Sequence, residues 1–218
     1  MPEARNVQKV PPLPVVFIVD DDQSMREALT DLFCSMKFDV EAFESVAALL
    51  EAANLNRPGC ILLDVRLPGI SGLDFQAQLE RTGITMPIVF ITGFGDIPMS
   101  VRAMKAGAVD FLTKPFKDQD ILDAVAIAIE RDAERRRQDT QSEAVASLAR
   151  TLTPREREVM EAVVKGLMNK QIAYELGISE VTVKLHRGNV MRKMGVRSLA
   201  DLVRKAELLG EGARPPVS

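Results

Sequence analysis

Histidine and cysteine are nearly missing from this chain of 218 residues: it has one histidine, His186, and two cysteines, Cys34 and Cys60. One histidine and two unclustered cysteines cannot assemble a zinc centre. Each cysteine sits within an apolar segment, so both are expected to be buried free thiols in a reducing compartment. No apolar run approaches the roughly 20 residues that a bilayer crossing requires. The first residues, MPEARNVQKVPPLP, contain charges and prolines but no apolar core, which is not the pattern of a secretory signal. These absences point to a cytoplasmic protein with no membrane partner.

What is present is ordinary for a folded protein: 46% apolar and 27% charged residues, which argues against disorder. The length suits two small domains, and the charge divides accordingly. Residues 1–130 carry 11 Lys/Arg and 19 Asp/Glu, a net of −8, whereas residues 131–218 carry 17 and 12, a net of +5. An acidic front and a basic back imply different partners, the second of them polyanionic.

In the front part short apolar runs alternate with helical patterns. Val15–Val19 is followed by Met25, Leu29, Leu32, Phe33 and Met36 at helical spacing. A strand is expected over Phe38–Phe43, and Ser45 is placed to cap a helix carrying Leu49 and Leu50. Ile61–Leu63, Ile88–Ile91 and Val109–Leu112 are further strands, and a helix from about Asp118 closes the unit. Continuous rather than alternating apolar runs belong to strands covered on both faces. The expectation is an α/β fold: a doubly wound, five-stranded parallel sheet, with ligands bound at the carboxyl ends of its strands.

The residues at those ends form a pattern. Asp20, Asp21 and Asp22 follow the first run, Asp64 the third and Thr92 the fourth, and Lys114 lies just past the fifth. Clustered carboxylates repel one another, and a divalent cation relieves this. Mg²⁺, or Mn²⁺ in its place, accepts hard oxygen ligands and keeps waters when few carboxylates bind it. Such a cation with Lys114 would neutralise a transferring phosphoryl group attacked by Asp64. Asp22 alone is equally well read as a helix N-cap.

Beyond Arg131 the pattern changes. ERDAERRRQDTQSEAVASLAR has no Gly or Pro and is mostly polar, a helical extension that becomes a linker. After Leu152 only helices are expected, over about 154–166, 169–176, 180–194 and 198–209. Thr153-Pro154 with Glu156 opens the first, Gly166 and Gly177 end helices, and Ser179 caps the third. The second and third fit a helix-turn-helix with Ile172, Ala173, Leu176, Ile178, Val183, Val190 and Met194 inward. Lys184, His186, Arg187, Arg192 and Lys193 make the third helix basic, as a major-groove reader would be. Asn169 and Lys170, at a helix start, suit a phosphate.

FIVDDDQSMREAL, LLDVRLPGISGLDF, ITGFGDIPMSVRAMKAGAVDFLTKPF and LTPREREVMEAVVKGLMNKQIAYELGISEVTVKLHRGNVMRKMG together resemble the FixJ-like (NarL/FixJ) two-component response regulators, in which a receiver precedes a LuxR-type helix-turn-helix. The resemblance implies a receiver over 14–130, a helical linker over 131–150 and a DNA-binding domain over 151–210. It implies that Asp64 is phosphorylated by a sensor histidine kinase, that Asp20, Asp21 and Asp64 hold Mg²⁺ with the backbone carbonyl of Arg66, and that Lys114 pairs with the phosphoryl oxygens. Thr92 and Phe111 would be the switch pair, and the Lys114–Pro115 bond would be cis. Phosphorylation would promote homodimerisation through about 97–112 and promoter binding, with RNA polymerase a candidate partner. Lys184, Leu185 and Gly188 would face bases; Thr182, Arg187, Asn189 and Lys193 would contact phosphate or base. Part of the last helix, Ser198–Leu209, would pair two DNA-binding domains. The chain departs from the pattern at Phe94, where His is common, and at Gly188, where a larger polar residue is common. Three alternatives share some of these residues: an aspartyl-phosphate phosphatase, which expects Asp where Arg66 stands; a DNA-binding regulator that needs no phosphorylation; and a sigma-factor-like DNA binder, whose helix-turn-helix LTPREREV also resembles.

Overall fold

The computed structural model describes residues 13–93 and 97–211. Phe94 lies outside them. The chain divides into two compact units, residues 1–135 and 136–218.

The first unit alternates strand and helix: β1 (Val15–Val19), α1 (Gln23–Ser35), β2 (Asp39–Phe43), α2 (Val46–Ala52), β3 (Gly59–Asp64), α3 (Gly72–Thr82), β4 (Ile88–Thr92), α4 (Ile97–Lys105), β5 (Asp110–Thr113) and α5 (Asp118–Arg150). The strands form one parallel sheet in the order β2-β1-β3-β4-β5. β1, β3 and β4 are buried along their whole length, as their unbroken apolar runs require. Successive side chains of a strand face opposite ways, and so two cores form. Phe17, Ile61, Leu63 and Phe90 pack with Leu49, Phe75 and Ala103 on one face. Ile18, Leu62, Val89 and Ile91 pack with Leu29, Phe33, Ile121 and Val125 on the other. The strand order reverses direction between β1 and β3, and the crevice of such sheets opens at that point.

Two details, at Cys34 and Met36, differ from the sequence reading. Cys34 is exposed near the end of α1, and only Cys60 is a buried thiol; burial pushes the Cys60 thiol up to about 12, with the Asp132 charge adding to this. Met36 caps α1 and is exposed, because the helix ends before a further turn could bring it back to the sheet. Leu50 faces solvent while its neighbour Leu49 takes the inward position. α5 runs unbroken from Asp118 to Arg150, since no Gly or Pro interrupts residues 118–150.

The start of β3 is held by an unusual contact. The buried Asp132 of α5 accepts a hydrogen bond from the Gly59 amide (3.0 Å) and another from Arg135 (2.5 Å). Gly59 has φ +153°, and a Cβ there would stand 2.0 Å from the Val15 carbonyl oxygen. β1 and β3 meet too closely at this end for any side chain.

In the second unit α6 (Pro154–Val164), α7 (Asn169–Leu176), α8 (Glu180–Lys193) and α9 (Leu199–Glu211) enclose Val159, Val163, Ile172, Val183, Val190, Met194 and Leu202, joined by Val145 and Leu152. Thr153 caps α6 in a full capping box with Glu156, and Pro154 follows it. Gly177, at φ 65°, makes the turn between α7 and α8, and Ser179 caps α8 by accepting from the Thr182 amide. Leu176 and Ile178 are partly buried beside this core.

The Gly59 contact makes a sharp prediction. Gly59→Ala forces methyl against backbone where neither can yield, and a loss of more than about 3 kcal/mol in unfolding free energy is expected by urea denaturation. A midpoint equal to that of the parent chain would contradict this packing.

Candidate functional site

The carboxyl ends of β1, β3 and β5 bring together the acids and the lysine. Asp20, directly after β1, is fully buried, and Asp64, the last residue of β3, is nearly so. Lys114 follows β5, where the Thr92–Thr113 register and a hydrogen bond from its amide to the Thr92 carbonyl (2.7 Å) set its position. Its ammonium donates to Asp20 Oδ2 at 2.6 Å and to Asp64 Oδ2 at 2.7 Å. The remaining oxygens are tied to backbone: Asp20 Oδ1 accepts from the Asp22 amide (3.0 Å) and Asp64 Oδ1 from the Arg66 amide (2.8 Å). Gly72 opens α3 close beneath, where a Cβ would fall 2.8 Å from the Asp64 carbonyl oxygen.

Burial pushes the Asp20 carboxyl above its ordinary value, against the pull of Lys114 and the Asp22 amide. Burial also works to lower the Lys114 ammonium, yet its hydrogen bonds to Asp20 and Asp64 hold it above its usual value. Asp21 is exposed, and one oxygen from each of Asp20, Asp21 and Asp64 lies within 4.8 Å of the others. Two of these carboxylates share one ammonium, the third has no ion pair with it, and every candidate ligand atom is a hard oxygen. This set fits a hard divalent cation and not a soft one.

The third acid has a separate task. Asp22 is the N-cap of α1, accepting from the Ser24 (2.9 Å) and Met25 (3.3 Å) amides. Arg26, one turn along, donates to the Asp20 carbonyl at 2.7 Å. The sequence reading missed this residue; its only signal was its place four positions past the cap. Thr92 is buried at the end of β4. Phe111 is half-buried on β5, its ring 6.3 Å from that of Phe90. The Lys114–Pro115 peptide is cis.

A second cluster lies on α7 and α8. Lys184, Leu185 and Gly188 are exposed, as is Lys170, while Thr182 and Asn189 are half-buried. Two of the expected contacts meet each other: Arg187 donates to the Asn169 side-chain oxygen at 2.8 Å. Asn189 likewise accepts from Arg192 (3.2 Å). Lys193 turns inward, donating to the buried Glu156 at 2.6 Å and to the Thr151 carbonyl at 3.0 Å. Its ammonium holds α8 to the start of α6, so its charge is used within the domain. The hydrogen bond from Lys193, with that from the Thr153 amide, lowers the Glu156 carboxyl to about 2.

Residues 16–126 match the response regulator receiver domain, and residues 150–206 match the bacterial regulatory proteins of the luxR family. The chain belongs to the response regulators. It is 56% identical over 199 residues to nodulation protein W of Bradyrhizobium diazoefficiens, covering 91% of this chain and 88% of that one. It is 47% identical to the transcriptional regulatory protein FixJ of Azorhizobium caulinodans, over 89% of this chain and 92% of that one. The solved structure of the response regulator StyR superposes with a TM-score of 0.78 at 50% identity, covering 90% of this chain and 99% of that one.

The parallel five-stranded receiver fold and the helical LuxR-type domain are thus both present, and the chain is a transcription-regulating response regulator. The receiver implies a histidine kinase as partner, and the LuxR-type domain implies DNA. No helix among the described residues is long and apolar enough to cross a membrane.

In this response regulator the Glu156–Lys193 pair has a testable pH signature. With its carboxyl held near 2, Glu156 contributes stability that is complete above the ordinary carboxylate range of about 4.3 and fades as pH falls toward 2. Glu156→Gln keeps an acceptor for the Thr153 amide but no charge for Lys193. The parent chain is expected to be the more stable at pH 6, with the gap narrowing by pH 3 in urea titrations. A gap that does not change with pH would show that the ion pair contributes nothing.

Proposed function

We propose that Asp64 is the phosphoacceptor of a switch that controls promoter binding by α8. The observation that carries this reading is the Lys114 ammonium shared between Asp20 and Asp64 at the carboxyl edge of the sheet. By function the chain is divided into a receiver over 14–130, a helical linker over 131–150 and a DNA-binding domain over 151–210.

Asp20, Asp21 and Asp64, with the Arg66 backbone carbonyl, would hold Mg²⁺ (or Mn²⁺). When bound, the ion supplies positive charge beside the oxygens of the incoming phosphoryl group. An Asp64 carboxylate oxygen attacks phosphorus, the bond from phosphorus to the kinase histidine nitrogen breaks, and that nitrogen keeps the electron pair. With the other ring nitrogen of that histidine carrying a proton, the products are an acyl phosphate on Asp64 and a neutral imidazole. Lys114 moves from the free carboxylate to the new phosphoryl oxygens, a charge-assisted contact. The Thr92 hydroxyl donates to the same group, and Phe111 on the adjoining strand follows it inward.

These movements remodel the face over 97–112, where two copies then pair. Phosphorylation acts only to the extent that it stabilises this paired state above the resting one. Pairing, joined by part of α9, brings two copies of α8 to a two-fold promoter site. Lys184, Leu185 and Gly188 face bases, and Lys170, Thr182, Arg187, Asn169 and Asn189 serve phosphates or base edges. Lys193 supports the helix from within. RNA polymerase is the partner through which promoter occupancy reaches transcription, and all of this takes place in the cytoplasm.

Two measurements test the two halves. Labelling from a small phosphodonor in Mg²⁺ is expected to reach about one phosphate per chain and to vanish in Asp64→Ala, with dimerisation following the label. Continuous turnover of the donor would instead mark a phosphatase, and an unlabelled but folded chain would remove the switch. Lys170→Ala is expected to weaken binding to non-specific duplex DNA and to reduce the slope of log K against log salt by about 0.9. An unchanged slope would take Lys170 off the phosphate backbone.

A further inference from the structure

The outward stripe of α8 is not basic throughout. Val183, Val190 and Met194 fix the inward side of the helix in the core. Val181, Leu185, Gly188 and Arg192 repeat at the same helical intervals, two positions out of phase with the buried set, and so lie opposite it. Val181 is 75% and Leu185 64% exposed. Single exposed aliphatics are commonplace, but these two are one turn apart on the face that meets DNA in the reading above.

Gly188 lies between Leu185 and Arg192 on the same stripe. Glycine weakens a helix interior relative to alanine, and here nothing inside the protein asks for it. A Cβ at 188 would meet no atom within 4 Å, and the backbone is not in the left-handed region. The bare position therefore serves no packing need of the domain.

Apolar side chains set against a phosphate or a base amino group would strip it of water and return no hydrogen bond. The major groove offers one apolar group, the C5-methyl of thymine, and aliphatic side chains recognise it by contact alone. We infer that α8 reads thymine methyl groups through Val181 and Leu185, with Gly188 left bare so that the helix backbone can lie close against the base edges. Lys184, exposed beside this stripe, and Arg192, exposed at its end, give the surrounding surface its attraction for the strands. The inference rests on the DNA-binding role of α8 proposed above and adds the base chemistry that it selects.

The test begins with a duplex selected from a random pool by the full-length chain, treated with a small phosphodonor and Mg²⁺. Each thymine is then replaced by deoxyuridine, which keeps base pairing and removes only the methyl group. At one or two thymines per half-site, affinity is expected to fall about fourfold per methyl. Leu185→Ala or Val181→Ala should bind the parent duplex more weakly and lose that dependence, with the thermal midpoint unchanged. Gly188→Ala should raise the midpoint yet weaken binding. Full affinity on every deoxyuridine duplex would overturn the methyl reading, as would an undiminished dependence in both alanine variants. A Gly188→Ala chain that is more stable and binds equally well would overturn the close approach. Failure to select any sequence would remove base reading by α8 altogether, and with it the function proposed above.

Discussion

A single ammonium group holds the first unit's chemistry in place. Lys114 reaches from the end of β5 to carboxylates at the ends of β1 and β3, strands that are not neighbours of β5 in the sheet. Without a cation between them Asp20 and Asp64 would be two buried like charges, and an uncompensated buried charge is among the costliest features a fold can carry. The pairing is made possible by the backbone: parallel registers bring three strands to a common edge, and the Thr92 carbonyl fixes the amide of Lys114. Both carboxylates thus depend on the same ammonium.

Much of this was legible in the sequence because the signals are local. Unbroken apolar runs announced strands buried on both faces, and the polar residues just beyond each run named the site. Thr153, Ser45 and Ser179 could be read as caps because a capping side chain bonds amides only two or three residues away. Contacts between distant segments were not legible. Nothing in the linker marks Asp132 as a buried acceptor for Gly59, since its neighbours are charged and its own type favours the surface. Nor does a row of basic residues on α8 say which one turns inward. Lys193 looked like its exposed neighbours until Glu156, one helix away, was placed against it. Cys34 misled for the opposite reason: its apolar neighbours are buried, but at its own position the helix faces water.

The two faces of α8 accordingly answer to different demands. Val183, Val190, Met194 and Lys193 are fixed by what they touch inside the domain. Charge within the helix is divided in the same way, that of Lys193 spent on Glu156 and that of Lys184 and Arg192 left outward. Net charge alone, which first suggested a polyanionic partner, overstates the charge that such a partner meets.

The contact between Asp132 and Gly59 bears on where the receiver ends as a folding body. Its last strand-covering helix is finished, by pattern, near residue 130, yet the acceptor for a buried amide of β3 comes from beyond that point. A domain cut there would leave the Gly59 N–H sealed among apolar groups with no partner, a cost of about 1–3 kcal/mol. The opening turns of the linker therefore belong structurally to the domain before it. Autonomy of the receiver, in the sense of a piece that can be exchanged between proteins, extends through Arg135, and a junction drawn at the end of the sequence motif would fall inside its core.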